Sequence, residues 1–308
     1  VPRIAYLGPE GTFTEAALLK MSGGSMLPGG AGADEVTPVG CESTIGALAA
    51  VRDGHADYAC VPIENSIEGS VLPTLDGLAT GTPLQIFAEL TLDVSFTIAV
   101  RDGTAAADVA TVAAFPVAAA QVRNWLAEHL PSARVVPANS NAAAAGDVAE
   151  GRADAGVSTA LATKRHGLAA LASDIVDEPN ARTRFVLVGA PAPPPARTGA
   201  DRTSVVLRLD NVPGALVAAL TELAVRDIDL TRIESRPTRT ELGTYIFFLD
   251  CVGHIDDDAV AEALKALHRR CSDMRFLGSW PTGAAAGAVP PGLDEASHWL
   301  ALLREGKR

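Results

Sequence analysis

Ile4-Ala5-Tyr6-Leu7-Gly8-Pro9-Glu10-Gly11-Thr12-Phe13-Thr14-Glu15 sets a strand, a turn and a helix start end to end. Four apolar residues read as a buried strand, and Gly8 and Gly11 supply the turn. Thr12 and Glu15 fit the capping box, in which hydroxyl and carboxylate satisfy the first helical amides. The segment is not a P-loop, because the Gly-Lys-Ser/Thr element is missing. Two readings fit it. One is a well-capped helix; the other is a carboxylate site built from exposed N–H groups and the positive end of the helix.

Outward from this unit the alternation repeats. Short apolar runs at 3–7, 57–62, 85–89, 93–100, 111–115, 154–157 and 184–188 predict strands. Helical patterns begin near 13, 43, 67, 116, 141 and 159. Strands alternating with helices predict a layered α/β region, without deciding between one sheet and two. The run Ser22 to Gly32 is Gly-rich and predicts a loop. At 191–195 four prolines in five positions deny backbone donors and mark a semi-rigid linker. Beyond it lie a strand from Ser204, a helix with Pro213 at its first position, and strands over 229–236 and 244–252. A helix over 256–270 and a strand over 274–280 complete a βαββαβ order, the ferredoxin-like split motif. A Gly/Pro/Ala stretch then precedes an amphipathic tail with Trp299, Leu300, Leu302 and Leu303.

The 308 residues suggest about two domains. Hydrophobic residues at 48% are enough for packed cores, and the net charge of −12 disfavours nucleic acid and anionic membranes as partners. Four cysteines without a CxxC pair predict neither a disulfide framework nor a zinc site. No apolar run reaches the roughly 18 residues of a membrane span, and the N-terminus enters a strand without a basic leader, so a cytoplasmic protein is expected. The six histidines are scattered, with no HExxH, and no GxSxG occurs. Serine or cysteine hydrolase and metalloenzyme readings lose ground.

Two further segments end or begin strands on polar groups. In Val61-Pro62-Ile63-Glu64-Asn65-Ser66-Ile67-Glu68-Gly69-Ser70 an apolar strand stops at three polar side chains and a helix is predicted to follow. Asn65 or Ser66 fits a helix cap; three polar groups at a strand end also fit a ligand crevice. In Asn180-Ala181-Arg182-Thr183-Arg184-Phe185 a hydroxyl and a guanidinium enter a buried strand together.

GPEGTFT at 8–14, PIENSIEGSV at 62–71 and TRF at 183–185 together resemble the prephenate dehydratase family. The C-terminal part resembles an ACT regulatory domain through Gly214-Ala215-Leu216-Val217 and Glu234-Ser235-Arg236-Pro237. The resemblance covers about residues 1–280. It implies an α/β fold: a two-lobed catalytic region like the type II periplasmic binding proteins, plus a ferredoxin-like ACT domain. The implied organisation is a catalytic domain over 1–190, a linker over 191–202, an ACT domain over 203–280 and a tail over 281–308. Lobe one takes about 1–80 and 170–190, lobe two about 81–169. No chorismate mutase-like helical extension precedes, so a monofunctional enzyme is expected.

The resemblance further implies decarboxylating dehydration of prephenate to phenylpyruvate without a cofactor. Thr183 is the implied donor at the leaving hydroxyl, with Arg184 and Phe185 completing the motif and Glu64 as the alternative acid. Thr12, Asn65 and Ser66 are the implied substrate contacts. A positive cleft is expected within the acidic exterior, from helix N-termini and Arg184. Many members carry Asn two residues before the motif threonine; here that position is Ala181, and the role of Asn180 is open. The ACT motifs imply L-phenylalanine as effector at an interface between ACT domains of a homodimer or homotetramer. Arogenate as substrate, or a non-catalytic amino-acid-sensing protein, are the alternatives.

Overall fold

In the computed structural model, which describes residues 1–24, 26–30, 32, 35–238, 243–283 and 294–307, the opening segment folds as the sequence predicts. Strand β1 (Arg3–Leu7) runs into helix α1 (Phe13–Gly23), whose cap Thr12 accepts from the Glu15 N–H. The reciprocal arm differs from a standard capping box. Glu15 accepts from the N–H of Gly11, at 2.6 Å, rather than from Thr12. Of the loop expected over 22–32, Ser22 and Gly23 are helical and a 3-10 turn occupies Pro28–Gly30; positions 25 and 31 lie outside the described residues.

The chain divides into two units, Val1–Gly77 with Leu90–Leu187, and Leu78–Glu89 with Val188–Arg308. In the first, β2 (Thr37–Cys41) and β3 (Tyr58–Asn65) flank β1 in parallel, with α2 (Thr44–Arg52) between them in sequence. The hairpin strand β4 (Gly69–Ser70) folds back on β3, and α3 (Leu72–Ala79) follows. β5 (Gln85–Asp93), whose residues 85–89 are counted with the second unit, and the later β11 (Arg182–Gly189) complete the sheet in the order β2-β1-β3-β11-β5. A second sheet forms from β6 (Phe96–Val100), β7 (Thr111–Ala114), β8 (Arg134–Pro137), β9 (Ala155–Ser158) and β10 (Ala169–Ile175), in the order β10-β6-β9-β7-β8. Helices α4 (Pro116–Gln121), α5 (Arg123–His129), α6 (Asn141–Ala149) and α7 (Ala160–Arg165) belong to this lobe. The two-sheet architecture is the α/β fold expected.

The strands the sequence reading misses are β2, β4, β8 and β10. Of these β2, β8 and β10 are sheet edges. β2 carries Pro38 and Gly40, which weaken the strand signal and are tolerated where one side of the ladder is free. The helix predicted from 67 starts at Leu72 instead. Asn65 Oδ1 accepts from the N–H groups of Ile67 and Glu68, closing an Asx turn that diverts the chain into β4.

In the second unit β12 (Asp201–Arg208), β14 (Tyr245–Val252) and β15 (Asp273–Pro281) line up with β13 (Leu230–Pro237) in the order β13-β14-β12-β15. Helices α8 (Ala215–Ala224) and α9 (Asp258–Arg270) complete the βαββαβ order. Leu207, Leu249, Ala219, Leu223, Val260 and Leu267 form the helix-side core. Pro213 is not the first helical residue: Gly214 caps α8 with φ at 81°, so the proline belongs to the preceding turn. A tail helix α10 (Asp294–Arg304) exposes Trp299, Leu300 and Leu303; positions 284–293 and 308 of the expected tail lie outside the described residues. No described helix is long and apolar enough to cross a membrane.

The other face of this sheet is also covered. Gly278, at φ 132°, lies against the backbone of Ile86, and a Cβ there would collide with the Ile86 carbonyl oxygen. Gly278→Ala therefore combines a forbidden backbone conformation with a backbone clash. It is expected to cost at least about 3 kcal/mol, read as a lowered urea midpoint.

Candidate active site

Strand β3 ends where β11 begins, and the two motifs meet there. Asn65 Nδ2 donates to Thr183 Oγ1 at 2.9 Å. The amide's orientation is fixed by its other end, because Oδ1 already accepts two backbone N–H groups and must be the oxygen. Thr183 Oγ1 is thus the acceptor from Asn65, and its own proton is left to point elsewhere. A half-buried hydroxyl acquires a fixed direction in this way.

Ser66 locks the neighbouring backbone. Its Oγ accepts from the Arg182 N–H at 2.9 Å and donates to the Asn180 carbonyl at 3.1 Å. The Ser66 N–H donates to the Arg182 carbonyl at 2.8 Å. This gives Asn180 its place: it is exposed and contributes a carbonyl to the latch. Ala181 is buried in the apolar cluster with Phe96, Ala118 and Val122, where an asparagine side chain would need partners.

Arg184 is 8% exposed at its side chain and pairs with Glu64 at 2.9 Å, whose side chain is 40% exposed. The pair ties β11 to β3 directly beside the Asn65–Thr183 contact. Glu64 serves as counter-ion to a buried guanidinium. Phe185 is 1% exposed and packs in the core.

Thr12 lies elsewhere. It lines a cavity of about 880 Å³, with Tyr6 and Glu10 on its side and Ser140, Asn141 and Arg165 on the other. Thr183 and Asn65 are not among its lining residues. Thr12 Oγ1 donates to the Leu7 carbonyl at 3.0 Å while capping α1, so its proton is spent within the loop. Gly11, at φ 86°, packs on α7 so closely that a Cβ would stand 2.7 Å from Ala162 Cβ. Thr159 Oγ1 donates to the Gly11 carbonyl at 2.5 Å. Phe13 meets Phe96 edge-on at 5.7 Å. These contacts fix the Gly8–Thr14 turn against the second lobe.

The expected positive cleft is not found in this cavity's side chains. Glu10, Glu15 and Glu42 line it against the single guanidinium of Arg165. Arg165 is itself spent on Glu10 and Glu15, each at 2.6 Å. Burial, followed by the charges of Glu15 and Glu10, pushes the Tyr6 phenol up to about 12, so it stays a neutral donor at physiological pH. The helix N-termini named in that expectation do border the cavity, those of α1 and α6, the latter capped by Ser140, whereas Arg184 is not among its lining residues. Among the described residues no group of three or more His, Cys, Asp or Glu is placed to hold a metal ion.

Arg165, Tyr6 and Ser140 escaped the sequence reading. Ser140 was within reach, as an Asn-Ser-Asn cap before an alanine run. Arg165 gave no signal, because its buried partner Glu15 lies far away in the chain.

In the second unit a cavity of about 140 Å³ is lined by Leu209, Val212, Ala215, Leu216, Tyr245 and Phe247. Gly214 caps the helix beside it, while Val217 is 68% exposed. Ser235 and Pro237 stand opposite Phe247 and Tyr245 in register, on the cavity's face of the sheet. Glu234 and Arg236 pair with Phe248 and Ile246 and belong to the other face. Within one chain the two ACT motifs are thus brought together only in part.

The family model for prephenate dehydratase matches residues 4–193. This chain belongs to the prephenate dehydratase family. The ACT domain model matches residues 203–269. A prephenate dehydratase of Mycobacterium sp. (strain JLS) is 77% identical over 99% of this chain and 97% of its own length. That of Mycolicibacterium vanbaalenii is 76% identical over the full length of both. The crystal structure of a prephenate dehydratase from Arthrobacter aurescens in complex with L-Phe superposes with a TM-score of 0.87, at 41% identity over 98% of this chain and 99% of that one. A structure described as GqqA, a quorum quenching acylase, is 29% identical with a TM-score of 0.80, covering 91% of this chain and 98% of that one.

Proposed function

We propose that this chain performs the prephenate dehydratase reaction at the Asn65–Thr183 pair, the observation that carries the reading. Prephenate is a dianion whose ring hydroxyl leaves poorly until it receives a proton. Thr183 donates that proton as the C–O bond breaks. The C–C bond to the ring carboxylate breaks with it, its electron pair enters the ring, and CO₂ and water depart from aromatic phenylpyruvate. Threonine is a weak acid, so it acts by a directed hydrogen bond and relay, and solvent restores its proton. Asn65 keeps the hydroxyl aimed outward. Arg184, buried and paired to Glu64, fixes the strand that carries Thr183.

Neutral donors at the N-termini of α1 and α6 suit the substrate's carboxylates. A strong cation on the ring carboxylate would stabilise the charge that decarboxylation must disperse. Identity of 77% to a prephenate dehydratase, against 29% to the quorum quenching acylase, supports the former activity. The catalytic region spans 1–190 and the ACT domain 203–280. The ACT domain takes L-phenylalanine against Ala215 and Leu216, with Ser235 and Pro237 beside them, at an interface with a second copy of the chain. The A. aurescens relative, solved with L-Phe, supports that choice of effector.

The test is turnover of prephenate by the purified protein, followed as phenylpyruvate absorbance, with arogenate as competitor and L-phenylalanine as inhibitor. Phenylpyruvate formation that L-phenylalanine suppresses is expected. Absence of turnover by folded protein would overturn the reading, and a higher kcat/KM for arogenate would change the substrate.

A further inference from the structure

Residues Leu78–Glu89 stand within the catalytic stretch of the sequence, yet they pack with the C-terminal unit. They are held there along their length. The Arg275 guanidinium donates to the carbonyls of Leu78 and Thr80, each at 3.2 Å. Gln85 Oε1 accepts from the Ala192 N–H at 3.1 Å. Gly278 lies flat on the Ile86 backbone. At the end of the segment the buried Glu89 carboxylate accepts from the Trp280 indole N–H at 3.0 Å and faces Arg202 at 3.5 Å.

The carboxylate belongs to a larger buried set. Arg202 also approaches Asp250, at 3.7 Å, and Asp250 takes hydrogen bonds from Arg232 at 2.9 Å and Ser204 at 2.7 Å. Burying such charges carries a desolvation penalty that pairing must offset, and apolar residues would pack the sheet with less penalty. What the ionic cluster adds is position: a carboxylate held by an indole and a guanidinium defines where the strand sits.

Both ends of the segment lead to the candidate catalytic pair. Upstream, α3 is tied to the strand that carries Asn65. Thr74 Oγ1 donates to the Pro62 carbonyl at 2.5 Å, and the Val71 N–H to Ile63 at 2.9 Å. Downstream, β5 continues from Glu89 to Asp93, which accepts from Arg182 Nε at 2.8 Å, next to Thr183. The following Val94 N–H donates to the Ala181 carbonyl at 2.7 Å.

We propose that the Trp280–Glu89–Arg202 clasp is the positioning element through which the ACT domain controls the Asn65–Thr183 contact. The inference rests on the function proposed above. When effector favours a second arrangement of the β-sheet that carries Trp280, the clasp draws β5 with it. A strand is stiff along its length, so Asp93 and Arg182 move and the aim of the Thr183 hydroxyl is lost. Effector and substrate then prefer different positions of one element, which is what coupling requires.

The experiment uses full-length Trp280→Phe, which keeps an aromatic ring and removes the indole donor. Three quantities are measured: kcat on prephenate, the L-phenylalanine concentration for half-inhibition, and L-phenylalanine affinity by calorimetry without substrate. The half-inhibitory concentration should rise at least about tenfold, by the order of coupling energies in allosteric proteins. Affinity should stay within about threefold and kcat within about twofold, since neither site is touched. An unchanged inhibition curve overturns the proposal. So does loss of L-phenylalanine binding in step with inhibition, because the clasp would then be part of the effector site. If that variant does not fold, Glu89→Gln carries the same three readouts and the same outcomes, keeping an acceptor for the indole while removing the charge facing Arg202. In the wild type, L-phenylalanine should alter hydrogen exchange across residues 85–93; no change there also overturns it. A wild type that neither consumes prephenate nor answers to L-phenylalanine overturns the underlying function first, and that result is read before any variant.

Discussion

Thr183→Ala is expected to lower kcat on prephenate by about 10²- to 10⁴-fold, the range for loss of a positioned proton donor. KM should change by less than about threefold, because a methyl replaces a group whose main contact forms as the C–O bond breaks. Thr183→Ser keeps the hydroxyl and should recover most of the loss. The structural cost is small. Thr183 is half-buried, and the Asn65 amide donates to its hydroxyl. Steady-state kinetics with a thermal melt as control decides it. Near-normal turnover in a folded Thr183→Ala protein would remove Thr183 from the chemistry.

Asn65→Asp is the second large effect, and the more diagnostic one. A carboxylate at 65 still accepts from the Ile67 and Glu68 N–H groups, so the Asx turn survives. It has no proton for Thr183 and takes one instead. The hydroxyl that pointed outward now points inward, toward residue 65. We expect kcat to fall about 10²-fold or more, with an unchanged melting curve. The deficit relative to wild type should narrow as pH falls toward about 4, where an aspartic acid regains a proton to donate. A variant that matches wild type across that pH range would show that Asn65 does not direct the Thr183 proton.

Much of this was legible in the sequence, for reasons that differ by residue. The strand–turn–helix at 4–15 declares itself because period, glycine and capping residues agree. The ferredoxin-like order after residue 203 declares itself for the same reason. Edge strands such as Thr37–Cys41 stay hidden, since an edge tolerates proline and glycine and shows no apolar run. Asn65 looks in sequence like a helix cap, and only the fold reveals that its amide spans to Thr183. The pairing of Arg165 with Glu15 is invisible for a related reason: an ion pair between distant segments leaves no periodic trace. Residues 85–89 read as a strand wherever they pack, so the sequence could not say which unit holds them.

The proposed mechanism turns on the direction of one proton. The most direct measurement is a crystal structure of the wild-type protein with a ring-reduced prephenate analogue that cannot aromatise. That mechanism requires the analogue's ring oxygen within about 3.2 Å of Thr183 Oγ1, with the Asn65 amide still donating to Thr183 Oγ1 from the other side. An analogue whose ring oxygen sits on another residue, with the Thr183 hydroxyl out of reach, would contradict it.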